Sequence, residues 1–149
     1  MRRETTKYGF WIFILLFASA KLISQDFKGE YPVETLQVCT DRMMYITGEV
    51  ISFSALVNIK DDNSTKELSR VLYCELVTPD GTRIAGGKFI VENSSAQGCL
   101  TIPEDAVTGH YYLKSYTRWM RNSGPGAYNY ILLKVINPAK AEVMPGEGP

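Results

Sequence analysis

The sequence predicts an all-β chain, a seven-stranded antiparallel β-sandwich behind an N-terminal export signal. Three observations carry this. From Gln25 onward the apolar residues recur with period two, and no stretch shows the 3.6-residue period of an amphipathic helix. The periodic runs are short and are punctuated by turn formers such as Thr47-Gly48-Glu49, Pro79-Asp80-Gly81 and Asn122-Ser123-Gly124-Pro125-Gly126. Before them stands a basic start, an apolar run and then small residues, the order of a secretory signal peptide.

The leader comes first along the chain. Arg2, Arg3 and Lys7 precede the uninterrupted apolar run Phe10 to Ala18, and Ala18, Ser19, Ala20 and Ser24 follow. A spanning helix needs about 20 apolar residues, and Lys21 interrupts this run too early, so removal after Ala20 or Ser24 is expected. Cys39 lies too far along to be a lipid-attachment site. The domain plan is a signal peptide over 1–24, a sandwich over 25–137 and a linker or C-terminal tail over 138–149. The Pro- and Gly-rich tail looks like the end of a first domain in a longer chain.

Seven strands are expected over 33–40, 50–59, 70–77, 82–91, 99–102, 110–117 and 129–136. The second shows the alternation clearly, with Ile51, Phe53, Ala55 and Val57 on one face and Ser52, Ser54 and Asn58 on the other. The last repeats it, with Ile131, Leu133 and Val135 inward and Tyr130 and Lys134 outward. Pro79-Asp80-Gly81 joins two strands tightly, since proline presets φ and glycine supplies φ > 0. Asn93-Ser94-Ser95 is another turn. Tyr111, in phase with Leu113, is placed to hydrogen-bond back across a Greek-key corner or to serve as an ordinary core aromatic.

Composition narrows the function. Sixteen Lys and Arg balance sixteen Asp and Glu, so the basic excess of a nucleic-acid binder is missing. Residues 1–24 hold a net charge of +3, which leaves −3 on the remainder. An apolar fraction of 45% excludes wholesale disorder. The single histidine, His110, has no partner pattern for nucleophilic catalysis. No Cys-x-x-Cys or His-x-x-x-His pair exists, so no metal site, cofactor or enzymatic activity is expected. Asp61, Asp62 and Glu67 lack the ligand spacing of a calcium loop, and Glu104-Asp105 forms a solvated loop.

Three cysteines in an exported chain raise the question of a disulfide. By alternation Cys74 points inward with Leu72 and Leu76, whereas Cys39 and Cys99 point outward. A bridge needs Cα atoms within about 7 Å, so Cys39 and Cys99 pair only if their strands are neighbours. Three free thiols are the expected state.

The candidate site is the cluster Tyr112, Tyr116, Arg118, Trp119, Met120 and Arg121, followed by Tyr128 and Tyr130. Tyrosine, tryptophan, methionine and arginine are enriched where proteins meet. Alternation places Tyr112, Tyr116 and Tyr130 outward. The competing readings are cross-strand stacking that merely covers the sheet and carbohydrate stacking on the rings. The first expectation is therefore a partner or interdomain surface, and the alternative is a carbohydrate-binding or adhesin module.

Particular residues also carry a family resemblance. Thr40-Asp41-Arg42, Tyr45 and Gly48-Glu49 through Phe53 and Ala55 resemble the pattern T-D-[KR]-x-x-Y-x-x-G-E-x-V-x-F-x-A. That pattern opens the second macroglobulin-type domain of alpha-2-macroglobulin-like proteins. The likeness continues through 71–81 and 103–111 and covers about residues 34–138. The run from Tyr116 to Asn122 is similar to a branch of large exported envelope proteins of Gram-negative bacteria. The resemblance implies a macroglobulin-like sandwich acting as a structural and protein-interaction module in the periplasm or at the outer membrane. Its expected partner is a neighbouring domain or envelope protein, with no nucleic acid, and with membrane association only through partners or through regions outside this sequence. The sequons Asn63-Ser64-Thr65 and Asn93-Ser94-Ser95 carry no glycan in a bacterial host. Two departures stand out. Met43 or Met44 and Thr47 occupy places where the family has prolines. The Cys-Gly-Glu-Gln thioester signature is absent, so no residue here is expected to trap a protease covalently.

Overall fold

Eight strands appear among the described residues, which are 32–60 and 69–145 of the computed structural model. They are β1 (Val33–Thr40), β2 (Met44–Ile46), β3 (Val50–Lys60), β4 (Val71–Val77), β5 (Arg83–Ile90), β6 (Ser95–Thr101), β7 (Gly109–Thr117) and β8 (Asn129–Ile136). The strands form a three-stranded sheet, β1-β3-β6, and a five-stranded sheet, β2-β8-β7-β4-β5. All pairings are antiparallel except β2 with β8. The expected leader, the expected loop with Asp61, Asp62, Asn63 and Glu67, and residues 146–149 lie outside the described residues.

All seven expected strands are present, but two details differ. β2 is an additional strand, and its three residues are too few for a period of two to register. β6 begins at Ser95, four residues before its expected start. Asn93 and Ser94, with φ of 50° and 59°, make a two-residue turn closed by mutual backbone bonds between Glu92 and Ser95. The Pro79-Asp80-Gly81 turn forms as predicted, with Gly81 at φ 88°. Its amide donates to the Thr78 carbonyl at 2.9 Å.

The core lies between the sheets. Ile51, Phe53, Ala55 and Val57 of β3 face Leu72, Leu76, Leu113, Leu133 and Val135 of the larger sheet, all buried. Tyr111 is 1% exposed and its hydroxyl donates to the Val107 carbonyl at 2.9 Å, the backward bond of a tyrosine corner.

The residues of the T-D-R pattern build the corner at which the chain passes from one sheet to the other. β1 ends at Thr40, and after Asp41-Arg42-Met43 the chain pairs with β8 as β2. Tyr45 points back into the core, 1% exposed, and its hydroxyl donates to Asp41 Oδ1 at 2.7 Å. The same oxygen accepts the Ser52 amide at 3.1 Å. Arg42 bridges Asp41 and Glu49 at 3.1 Å each, and Glu49 accepts the Ile46 amide at 2.7 Å. The Tyr45 hydrogen bond holds the Asp41 carboxyl below its ordinary range. These residues therefore set chain direction and satisfy backbone groups where no ladder does.

The tail expected to be a linker is docked as far as Met144. Asn137 is buried, and its side-chain amide donates to the carbonyls of Glu104 at 3.1 Å and Ala106 at 2.6 Å. The Met144 amide reaches the Thr108 carbonyl at 2.9 Å, and its side chain is buried. A lone methionine in a Pro- and Gly-rich run shows no period, so sequence patterning missed it.

The thiols sit as alternation predicts: Cys74 buried, Cys39 and Cys99 exposed, all three unbridged. β3 separates the strands of the exposed pair, with Cys39 opposite Ser54 and Cys99 opposite Ser52. Two strand spacings amount to about 10 Å, beyond disulfide reach. Burial also raises the Cys74 thiol to about 11. A thiol-reactive dye should therefore titrate two groups in the reduced native protein and three after denaturation. No native reaction, or three reactive thiols, would contradict this placement.

Candidate interaction surface

The two outer faces differ in chemistry. On the three-stranded sheet the outward positions include Thr35, Gln37, Ser52, Ser54, Gln97 and Thr101, with Val33, Val50 and Leu56 as apolar members spaced along the strands. On the five-stranded sheet they are aromatic, apolar and charged.

Most predicted site residues meet on that second face, but not all as free surface. Tyr116 is stacked between Tyr73 at 5.2 Å and Tyr128 at 4.6 Å. Lys114 lies 5.1 Å from the Tyr116 ring and 5.7 Å from that of Tyr128. Below them Glu75 accepts Lys114 Nζ at 3.1 Å and the Tyr116 hydroxyl at 3.2 Å. Burial, then the Glu75 charge, raises the Tyr116 phenol above its ordinary value. Both faces of Tyr116 are thus covered, leaving no open ring for a sugar. Tyr116 belongs to a cross-strand stack.

Tyr112 and Tyr130 are different. They meet edge to face at 6.4 Å and remain 36% and 45% exposed. With Pro79, Pro125 and Lys114 they line a shallow cleft of about 390 Å³.

Trp119 and Met120 are held by a buried carboxylate. Glu34 is 2% exposed, and its Oε2 accepts hydrogen bonds from Ser69 Oγ at 2.9 Å and from the Thr117 hydroxyl. Ser69 Oγ accepts the Trp119 amide and Thr117 Oγ1 accepts the Met120 amide, each at 3.2 Å. The Trp119 indole donates to the Pro32 carbonyl at 2.8 Å. This locks the β7–β8 connection onto β1.

Met120 is 1% exposed and part of the core, which corrects its assignment to the surface. Beyond Thr117 the chain forms a short 3-10 turn, Met120–Ser123, so strand alternation no longer fixes which way a side chain points. Arg118 and Arg121 are exposed.

Sequence reasoning missed three members of the face. Met44, Ile46 and Leu132 are 55%, 47% and 44% exposed. Leu132 lies opposite Tyr112, and Met44 and Ile46 continue the face further along β8, opposite Lys134 and Ile136 from the parallel strand β2. Leu132 was legible as an apolar residue on the outward phase of β8, but the run Ile131-Leu132-Leu133 disguised it.

His110 is half-buried on β7, opposite Lys134, and Glu104 and Asp105 are exposed loop residues. Among the described residues no group of three His, Cys, Asp or Glu side chains is placed to hold a metal ion. No helix among them is long and apolar enough to cross a membrane.

No protein-family model and no curated protein matches this sequence. Solved structures do. A mutant of Salmonella alpha-2-macroglobulin is 19% identical, with a TM-score of 0.52 over 68% of this chain and 6% of its own. Trypsin-activated alpha-2-macroglobulin from Escherichia coli gives 18% and 0.52 over the same shares. The Escherichia coli protein activated by porcine elastase gives 16% and 0.52 over 69% of this chain and 8% of its own. This chain thus spans less than a tenth of the length of the proteins it resembles, and at such identities the likeness is one of fold. The domain is a macroglobulin-like β-sandwich, the fold seen within bacterial alpha-2-macroglobulins.

Proposed function

We propose that this domain is a non-catalytic docking module of an exported cell-envelope protein. It presents the outer face of its five-stranded sheet to a neighbouring domain or protein partner. The observation that carries the reading is the contrast between the two outer faces. One is mainly polar, with Val33, Val50 and Leu56 exposed singly along its strands, whereas the other carries Tyr112, Tyr130, Leu132, Met44 and Ile46 in the open, including aromatic anchors. Exposed apolar groups with aromatic anchors mark protein contact surfaces. The order of basic, apolar and small residues in the leader supports export. The sandwich acts as a rigid scaffold, so these anchors meet a partner without an ordering cost.

A photo-crosslinking amino acid replacing Leu132 in the full chain should give a discrete adduct in the producing cells, and one replacing Gln97 should not. Tyr112→Ser and Leu132→Ser together should lower the yield of a crosslink placed at Ile46 about tenfold. Thermal unfolding should move by only a few degrees, since both side chains are more than a third exposed. Equal adducts at Leu132 and Gln97 would refute the face assignment.

A further inference from the structure

Where β4 begins and β7 ends, Ser69, Arg70, Tyr73, Arg118, Trp119 and Asn122 line a cleft of about 630 Å³. That volume suits a small ligand or a few side chains of a peptide. Its electrostatics are one-sided. Arg70 and Arg118 are exposed and form no ion pair among the described residues. The same holds for Arg121 and for Lys88, whose ammonium lies 5.8 Å from the Tyr73 ring. Four cations with no ion pair among the described residues gather at one end of a sandwich, in a chain whose residues 25–149 carry a net −3. Elsewhere on the larger sheet Lys114 and Arg83 pair with Glu75, and among the described residues Lys134 stands alone on β8 rather than in a cluster. Glu34 sits behind Ser69 with its Oε2 committed to two hydroxyls, and pairs with neither guanidinium.

The lining is preorganised as well as charged. Trp119 is fixed by the bonds of its indole to Pro32 and of its amide to Ser69, so its ring loses little freedom on binding. Guanidinium forks match carboxylates bidentately. Asn122 adds an amide that both donates and accepts, suited to a peptide backbone.

We infer that this cleft binds an acidic polypeptide segment, with Asp or Glu carboxylates on Arg70 and Arg118 and the chain lying against Trp119. Its concavity favours a polypeptide over a lipid surface, which engages basic groups from a protruding face. The inference shares with the docking reading only the idea of a protein partner. It concerns other residues, so the two fail separately.

The test is calorimetric titration of the full-length exported protein with an acetylated, amidated hexaglutamate peptide. Saturable binding is expected in 50 mM salt, weakening at least about tenfold by 300 mM as screening grows. Arg70→Gln and Arg118→Gln should each weaken it about tenfold, whereas Leu132→Ser should leave it unchanged. Thermal unfolding checks that each variant folds, and Arg118→Gln decides alone if Arg70→Gln does not. Absence of saturable binding at millimolar peptide, equal binding of hexalysine, or unchanged affinity in the arginine variants would overturn the inference. So would binding of phosphatidylglycerol vesicles, but not hexaglutamate, that depends on the same arginines.

Discussion

Raising the pH from about 9 to about 12 is expected to remove on the order of 5 kcal/mol of stability through two buried groups, Cys74 and Tyr45. Burial is the main cause for each. Cys74 is fully enclosed and its thiol is raised from 9.0 to about 11 despite the opposing Ser115 hydroxyl. Tyr45 is 1% exposed and is raised from 10.0 to about 12, burial acting first and the Asp41 hydrogen bond second. Both groups hold their proton more tightly when folded than when unfolded. Their stabilisation is complete below the unfolded values, near 9 and 10, and is lost as the pH rises through the folded ones. Each contributes on the order of 3 kcal/mol, since one pH decade of altered ionisation is worth about 1.4 kcal/mol. Urea midpoints measured from pH 8 to 12 should fall steeply in the native protein. Cys74→Ala should flatten the first part of that fall and Tyr45→Phe the second. Tyr116 shifts in the same direction and remains in the double variant, so some decline persists. A double variant that loses as much stability as the native protein would sink this account. On the acid side the sign reverses for Asp41. Its depressed ionisation stabilises the fold above the unfolded value and is lost as pH falls through the folded one.

The strands were legible in the sequence because each long strand has one face in the core. Period two then separates Ile51, Phe53, Ala55 and Val57 from Ser52, Ser54 and Asn58 without ambiguity, and it places all three cysteines correctly. The same rule fails where the chain is not extended. Met120 follows the end of β7 inside a 3-10 turn and turns inward under the Thr117 hydroxyl. β2 is too short to show a period, yet it is the element that carries Met44 and Ile46 to the outer face. The aromatic cluster was visible as composition, but composition does not report stacking. Tyr116 and Tyr128 are consumed by the stack with Tyr73, whereas Tyr112 and Tyr130 stay open beside Leu132. The Glu34 network was invisible for a different reason. It joins residues 35 and 83 positions apart, and nothing local marks a glutamate in an edge strand as buried.

Gly98→Ala should destabilise the domain by about 1–3 kcal/mol although it adds one methyl group in a strand that tolerates alanine. Gly98 faces the core from β6, opposite Phe53 on β3. The ring of Phe89, reaching over from the larger sheet, occupies the place where a side chain at residue 98 would begin. A Cβ there would stand 2.2 Å from Phe89 Cδ1 and 3.0 Å from Phe53 Cζ. The two phenyl rings meet edge to face at 4.7 Å and close the open side between β5 and β6. The added methyl must therefore expel the Phe89 ring, forfeiting much of the ~1.5–3 kcal/mol that burying a large apolar side chain contributes. Against this, alanine regains about 0.5–1 kcal/mol of chain entropy over glycine, which sets the net figure. The thermal midpoint should fall by about 4–10 °C. A double-mutant cycle isolates the cause. In a Phe89→Ala background the space above residue 98 is empty, and Gly98→Ala should then be neutral or stabilising, giving a coupling of about 2 kcal/mol. Additive effects would mean that the ring does not depend on the missing side chain, and that the two sheets are sealed at this edge by something other than the Phe53–Phe89 pair.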